Sequence, residues 1–271
     1  MDHFEERRKR QEIFLKEPRK SIQEMISHQN NFPKNLTSLP IFSGKPALLK
    51  LFLEYHREYA SLIGKMMEKR SIHSSMLIDD TRRIMMIQRM SEMASVVGDY
   101  KNKTKDDETA AIALARAYAS SLESFWNNLR RLVWLAGLKP KKNHLNVVLL
   151  KECLKELEGK YSISLAKIKS TVDSRLRNSI DHEDTFYQPP NIVVFLTKKK
   201  EKLNEIDRLT TEEIYTRLVE ITIINLVATS VENTAITSWL EQLLKLSDQE
   251  LEQLCKTGIY SEEMLRKMEN H

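Results

Sequence analysis

"DETAAIALARAYASSLESFWNNLRRLVWLA", residues 107–136, is the longest clean run of helix formers in the chain. Ala111, Leu114, Tyr118, Leu122, Phe125, Leu129 and Leu132 recur at spacings of three and four, and Trp126 and Val133 widen the stripe. That period places them on one side of an α-helix, which must bury that side against other elements. Gly137 follows as a terminator, and Pro140 blocks easy continuation.

The flanking chain repeats this pattern. Only 6 Gly and 7 Pro punctuate 271 residues, so long helices meet few breakers. Residues 3–29 read as a basic helix that Pro18 kinks or divides, and 31–46 as a loop. Residues 47–70 read as a helix with Leu51, Tyr55, Tyr59, Leu62 and Met66 on one face. Met86, Met90, Met93 and Val97 form a further stripe, either ordinary core or an adaptable binding surface. The polar stretch 98–108 is the best candidate boundary, which divides the chain into an N-terminal helical region, 1–104, and a helical domain, 105–271.

Downstream, helix is expected over about 145–158, stopping near Gly159, and again from 162 to about 182. The run "NIVVFL" (191–196) is β-prone and marks a short β-hairpin or an ordered loop within 183–209. Thr210 with Glu213 and Ser247 with Glu250 carry capping-box spacing, and Ser261 is a third cap candidate. The helix after Thr210 aligns Ile214, Leu218, Ile221, Ile224 and Ala228. The expected fold class is all-α, with the 107–136 helix packed against the 162–182 helix in a bundle.

Composition excludes several classes. Hydrophobic residues at 41% beside charged residues at 30% describe a folded chain rather than a disordered one. No uninterrupted apolar run reaches the roughly 18 residues of a membrane span, and the first residues lack a signal-peptide core, so a cytoplasmic location is expected. Cys153 and Cys255 stand far apart without metal-ligand neighbours, and the 7 His are scattered, so no cofactor or metal is expected. The net charge of +5 permits a nucleic-acid partner without demanding one. Basic clusters at 7–10, 139–142 and 198–202 are either solvated faces or RNA contacts.

One stretch departs from all this: "LRNSIDHEDTFYQPPN", residues 176–191. It sets Arg177, Asn178 and His182 close together at the end of a helix. Metal-free RNA cleavage needs a group to take the 2′-hydroxyl proton and one to protonate the leaving oxygen, and histidine suits both roles. Arginine answers the charge that gathers on the phosphoryl oxygens, and asparagine can orient phosphate or imidazole. On a straight helix Arg177 and His182 would stand about 140° apart, whereas Asn178 and His182 would share a face. Convergence therefore needs the helix to end or distort near residue 181, or a second subunit to complete the site. The structural alternative is a helix terminus with an Arg177–Asp181 ion pair. An Arg-x(4–6)-His pattern occurs about once by chance in a chain this long, and Arg175 fits it too.

The stretch 176–187 resembles the signature of the HEPN superfamily (higher eukaryotes and prokaryotes nucleotide-binding). Its catalytic members carry an apolar residue, Arg, a polar residue often Asn, three spacers and His. Here these are Leu176, Arg177, Asn178, then Ser179, Ile180 and Asp181, then His182. "NIVVFL" and "TTEEI" resemble the continuation, and the likeness extends over about 105–235. Members often place a small residue and a Gly around the His; Asp181 and Glu183 stand there in this chain and would raise the His pKa or repel RNA. The resemblance implies a helical bundle that dimerises, so that two motif copies face each other across a cleft and form one composite site; the polar end of the second helix, beside the apolar stripe of the first, further predicts Arg177 and His182 exposed at a concave surface. The resemblance also implies a metal-independent endoribonuclease used as a toxin or abortive-infection effector against phage, with RNA as substrate and an antitoxin or sensor as a further partner. The competing expectations are a non-catalytic helical dimerisation or interaction module, and a nucleic-acid-binding regulator using the basic N-terminal helix.

Overall fold

A computed structural model describes residues 17–30, 42, 44–69, 108–142, 149–181, 184–199 and 202–257. In chain order the helices are α1 (Pro18–Asn30), α2 (Pro46–Glu68), α3 (Glu108–Leu135), α4 (Leu150–Tyr161), α5 (Ala166–Thr171) and α6 (Ser174–Asp181). The strands β1 (Thr185–Gln188), β2 (Ile192–Lys199) and β3 (Lys202–Thr210) follow, then α7 (Thr211–Leu243) and α8 (Asp248–Thr257). The fold is mostly helical with one small antiparallel sheet. The stretch 3–16, the methionine stripe at 86–97, the polar stretch 98–107, His182 and the Ser261 cap lie outside the described residues.

The chain divides into two compact units. The larger takes the described residues within 46–72 and 79–231, so α2 belongs to the same unit as α3 although the polar stretch 98–108 separates them in sequence. Every residue of the expected α3 stripe is buried, as are Leu51, Tyr55, Tyr59, Leu62 and Met66 of α2. Buried polar side chains tie these helices together. Asn128 Nδ2 donates to the Tyr59 hydroxyl at 2.5 Å. The Tyr55 and Thr171 hydroxyls meet at 2.5 Å. Asn225 Nδ2 donates to the Ser121 carbonyl at 2.9 Å and the Ile221 carbonyl at 3.1 Å. A buried amide without such partners would cost about 1–3 kcal/mol, so each pair fixes the register of two elements.

Helix ends obey local chemistry. Glu213 accepts the Thr210 N–H at 2.8 Å while Thr210 Oγ1 accepts the Glu213 N–H at 3.2 Å, the expected reciprocal cap at the start of α7. Ser247 and Glu250 repeat it at α8, at 2.8 and 3.3 Å. Gly137, at φ +66°, takes the left-handed turn after α3. Gly159 does not stop α4, which runs on to Tyr161 before Ser162 takes the left-handed position at φ 53°.

The helix expected over 162–182 is two helices, α5 and α6, parted at Val172 and Asp173. One cap sets where α5 begins and another, at the break, sets where α6 begins. The Glu58 carboxylate of α2 accepts the N–H groups of Lys167 and Ile168, at 2.9 and 3.0 Å, at the start of α5. Asp173 Oδ1 accepts the Arg175 N–H at 3.0 Å at the start of α6. Each carboxylate satisfies orphan donors that a continuous helix would have used internally.

The expected hairpin is a three-stranded meander, in the order β1-β2-β3. Its central strand pairs Tyr187 with Val193 on one side and Val194 with Arg208 on the other, with an irregularity at Phe195/Leu196. Val193, Val194 and Phe195 are all buried, which explains the unbroken apolar run. β3 was illegible because its sequence, "KLNEIDRLT", is largely polar and its first four residues are exposed.

Ile214, Leu218, Ile221, Ile224 and Ala228 of α7 are buried, as are Ile223, Leu226 and Val227 between them. Among the described residues α7 alone is long and apolar enough to cross a membrane, by length and composition. Its most apolar window is 61% buried inside the protein, as in a core helix.

The smaller unit takes the described residues within 1–45 and 232–271. There Arg19 of α1 donates to the carbonyls of Leu244 and Leu246 at 2.9 and 2.7 Å, and its Nε meets Asp248 Oδ1 at 2.8 Å. A cation thus covers orphan carbonyls just beyond the end of a helix, where the dipole favours it.

Candidate functional site

Three of the four residues Leu176 to Ser179 of α6 face the protein to some degree. Leu176 and Ser179 are buried, Arg177 is partly covered and Asn178 is exposed. Ser179 fastens the end of this helix to the sheet. Its hydroxyl donates to the Asp184 carbonyl at 2.8 Å, accepts the Leu196 N–H at 3.0 Å and lies 3.0 Å from the Thr185 hydroxyl. The Asp184 N–H returns to the Ser179 carbonyl at 2.9 Å. The helix therefore ends at Asp181 and the chain is already paired to the sheet at Asp184. His182 falls between these points, outside the described residues.

Arg177 reaches back to α3. Its Nη2 stands 2.7 Å from Glu123 Oε2, and its guanidinium carbon lies 5.0 Å from the centre of the Trp126 ring. Nη1 donates to Asn178 Oδ1 at 3.1 Å. Arg130 does the same from within α3: its Nη2 donates to Glu123 Oε1 at 2.7 Å, and its guanidinium carbon lies 4.7 Å from the Trp126 ring. Arg130 also donates to Asn127 Oδ1. Two guanidiniums thus share one carboxylate and one indole. The cluster carries a net positive charge, and Trp126 is almost wholly buried beneath it.

The expected site was exposed at a concave surface. The Arg177 side chain is 22% exposed and lies against Trp126 and Glu123, and His182, the other residue of that expectation, lies outside the described residues. Glu123 is an ion-pair partner of Arg177; the Asp181 side chain, the partner expected from the sequence, lies outside the described residues. Arg175, the other arginine that fits the loose spacing, is committed to Asp173 through Nε at 3.0 Å and Nη2 at 2.7 Å. Burial pushes the Asp173 carboxyl up, but the Arg175 hydrogen bonds and the charges of Arg175 and Arg217 more than offset it, so Asp173 titrates below its ordinary value.

Arg177 and Asn178 are neighbours in sequence and touch through one hydrogen bond, while the contacts of Arg177 with Glu123 and of Ser179 with the sheet had no signal in the spacing. Glu123 and Arg130 lie far upstream, and a lone Glu and Arg on a helix carry no signal of what they will meet. Other chemistry is sparse. Burial pushes the Cys153 thiol up to about 11, which suits a packed side chain rather than a nucleophile. Among the described residues no group of three or more His, Cys, Asp or Glu could hold a metal ion.

The chain matches no family model, no curated protein and no solved structure.

Proposed function

We propose that this chain is a metal-independent endoribonuclease of the HEPN-like kind, working as a toxin or antiphage abortive-infection effector, with Arg177, Asn178 and His182 as its catalytic residues. The observation that carries the reading is the Arg177 guanidinium, held by Glu123 and Trp126 near the end of α6 beside the exposed Asn178. A fixed planar cation loses little entropy when it meets a phosphoryl group. Arg177 would stabilise the transition state, Asn178 would orient the phosphate, and His182 would act as general acid or base. A closed two-fold homodimer would bring a second motif to the same cleft.

The same contacts favour a second reading, a non-catalytic helical interaction module. There Arg177 is a structural pin that docks α6 onto α3 through Glu123 and Trp126. The test is incubation of the purified protein with total RNA in excess chelator. The ribonuclease reading expects fragments ending in a cyclic phosphate, lost about a hundredfold or more in His182→Ala. Absence of cleavage, or full cleavage by His182→Ala, would leave the structural pin as the account of Arg177. Sedimentation of an active monomer would remove the composite site.

A further inference from the structure

Trp134 is 75% exposed, while Trp126 and Trp239 are each 5% exposed. An indole in water forgoes the burial that large aromatics usually contribute, so a large exposed Trp calls for an explanation. Its surroundings supply one. Glu123, Trp126, Arg130 and Trp134 fall within a sector of about 80° on α3, at 100° per residue. Arg177 rests on Trp126, Arg130 rests on the same ring, and Trp134 comes one turn later on the same ridge. Trp126 and Trp134 are about 12 Å apart along the axis, a reach of a few nucleotides at the roughly 3.4 Å rise of a stacked strand.

Beyond Glu123, the charge toward the end of α3 has one sign. From Ser124 to Lys151 the chain contains no Asp or Glu, while Arg130, Arg131, Lys139, Lys141 and Lys142 fall within it. Lys139, Lys141 and Lys142 are exposed just beyond the end of α3. The negative end of the helix dipole, which would repel phosphate, is covered by Lys160, whose Nζ donates to the Ala136 carbonyl at 2.9 Å.

We propose that Trp134 is a base-stacking platform for single-stranded RNA, at the far end of a cationic track that leads along α3 from Arg177. The track deepens the ribonuclease reading, on which it rests for the direction of the strand, by assigning a subsite outside the cleavage motif. An aromatic face can hold a base only when that base is unpaired, and lysines follow the backbone without reading sequence, so the ligand is a single strand bound with little sequence preference. A membrane surface fits less well. Trp134 is the one large exposed hydrophobic of α3 among the described residues, whereas a membrane-lying helix presents a continuous apolar face.

The probe is a 12-nucleotide oligouridine with 2′-O-methyl riboses, which lacks the attacking hydroxyl and cannot be cleaved. Its binding to the full chain should quench tryptophan emission, because Trp134 is the exposed indole. Trp134→Ala should lose the quench and bind about tenfold more weakly or worse, while Trp134→Phe should retain most of the affinity. Replacing Lys139, Lys141 and Lys142 together by Gln should flatten the dependence of affinity on salt. Duplex RNA of the same length should not quench. Unchanged affinity in Trp134→Ala, or an emission shift with phosphatidylserine vesicles and none with the oligonucleotide, would overturn the proposal. Quenching by the probe together with no cleavage of unmethylated RNA would uphold the platform and end the ribonuclease reading. Cleavage by the wild type with the same KM in Trp134→Ala would do the reverse.

Discussion

The Arg177 guanidinium carbon stands 5.0 Å from the centre of the Trp126 ring. The Arg130 guanidinium lies at 4.7 Å from the same ring, and two cations so close would repel without the Glu123 carboxylate between them. Glu123→Gln should therefore destabilise the protein by about 1–2 kcal/mol, less than a fully buried pair would show because all three side chains keep some solvent. The urea midpoint should fall at unchanged slope. On the ribonuclease reading the same change loosens the hold on the Arg177 guanidinium, so cleavage should slow. A stable Glu123→Gln protein would show that the carboxylate does not organise the cluster.

Arg177 separates charge from shape. Arg177→Lys keeps the cation but loses the planar stack and the fork of donors. It should cleave at least tenfold more slowly than wild type, and Arg177→Ala about a hundredfold more slowly. Asn178→Ala should cost less than either, since Asn178 orients and moves no proton. Single-turnover rates on a labelled RNA check the order, and a lysine variant as fast as wild type would remove the bidentate role.

Asn225→Ala leaves the Ser121 carbonyl without its buried donor and opens space between α3 and α7. A loss of about 1–3 kcal/mol in urea unfolding is expected. Ser121→Ala should be milder, because the Asn225 contact is to the Ser121 backbone and survives.

Two carboxyls should move stability in opposite directions with pH. Asp173 titrates below its ordinary value, so its contribution is present above the unfolded carboxyl pKa and is lost as pH falls through the folded value. Asp173→Asn should therefore be least stable relative to wild type at neutral pH, and the gap should close in acid. Burial pushes the Glu220 carboxyl up, with Lys167 and Arg217 opposing in part. Its charged form is then disfavoured in the folded state, and wild-type stability falls as pH rises from the ordinary carboxyl range through the raised value. Glu220→Gln should be more stable than wild type at neutral pH and equal to it in acid. Thermal melts of both variants from acid to neutral pH test the two signs together.

Periodicity and capping chemistry alone determined α2, α3 and the starts of α7 and α8. The stripe of α3, the apolar face of α2, the reciprocal caps at Thr210 and Ser247 and the stop at Gly137 are local properties, and the sequence states them directly. Only the tertiary structure decided what those helices meet. Glu58 of α2 caps the start of α5, Ser179 fastens α6 to the sheet, and Glu123 and Trp126 claim Arg177. Each of these contacts joins residues distant in sequence, and a carboxylate or an indole carries no local sign of its partner. The polar strand β3 was hidden for the same reason: a strand at the edge of a sheet is specified by the neighbour it pairs with rather than by its own apolar pattern.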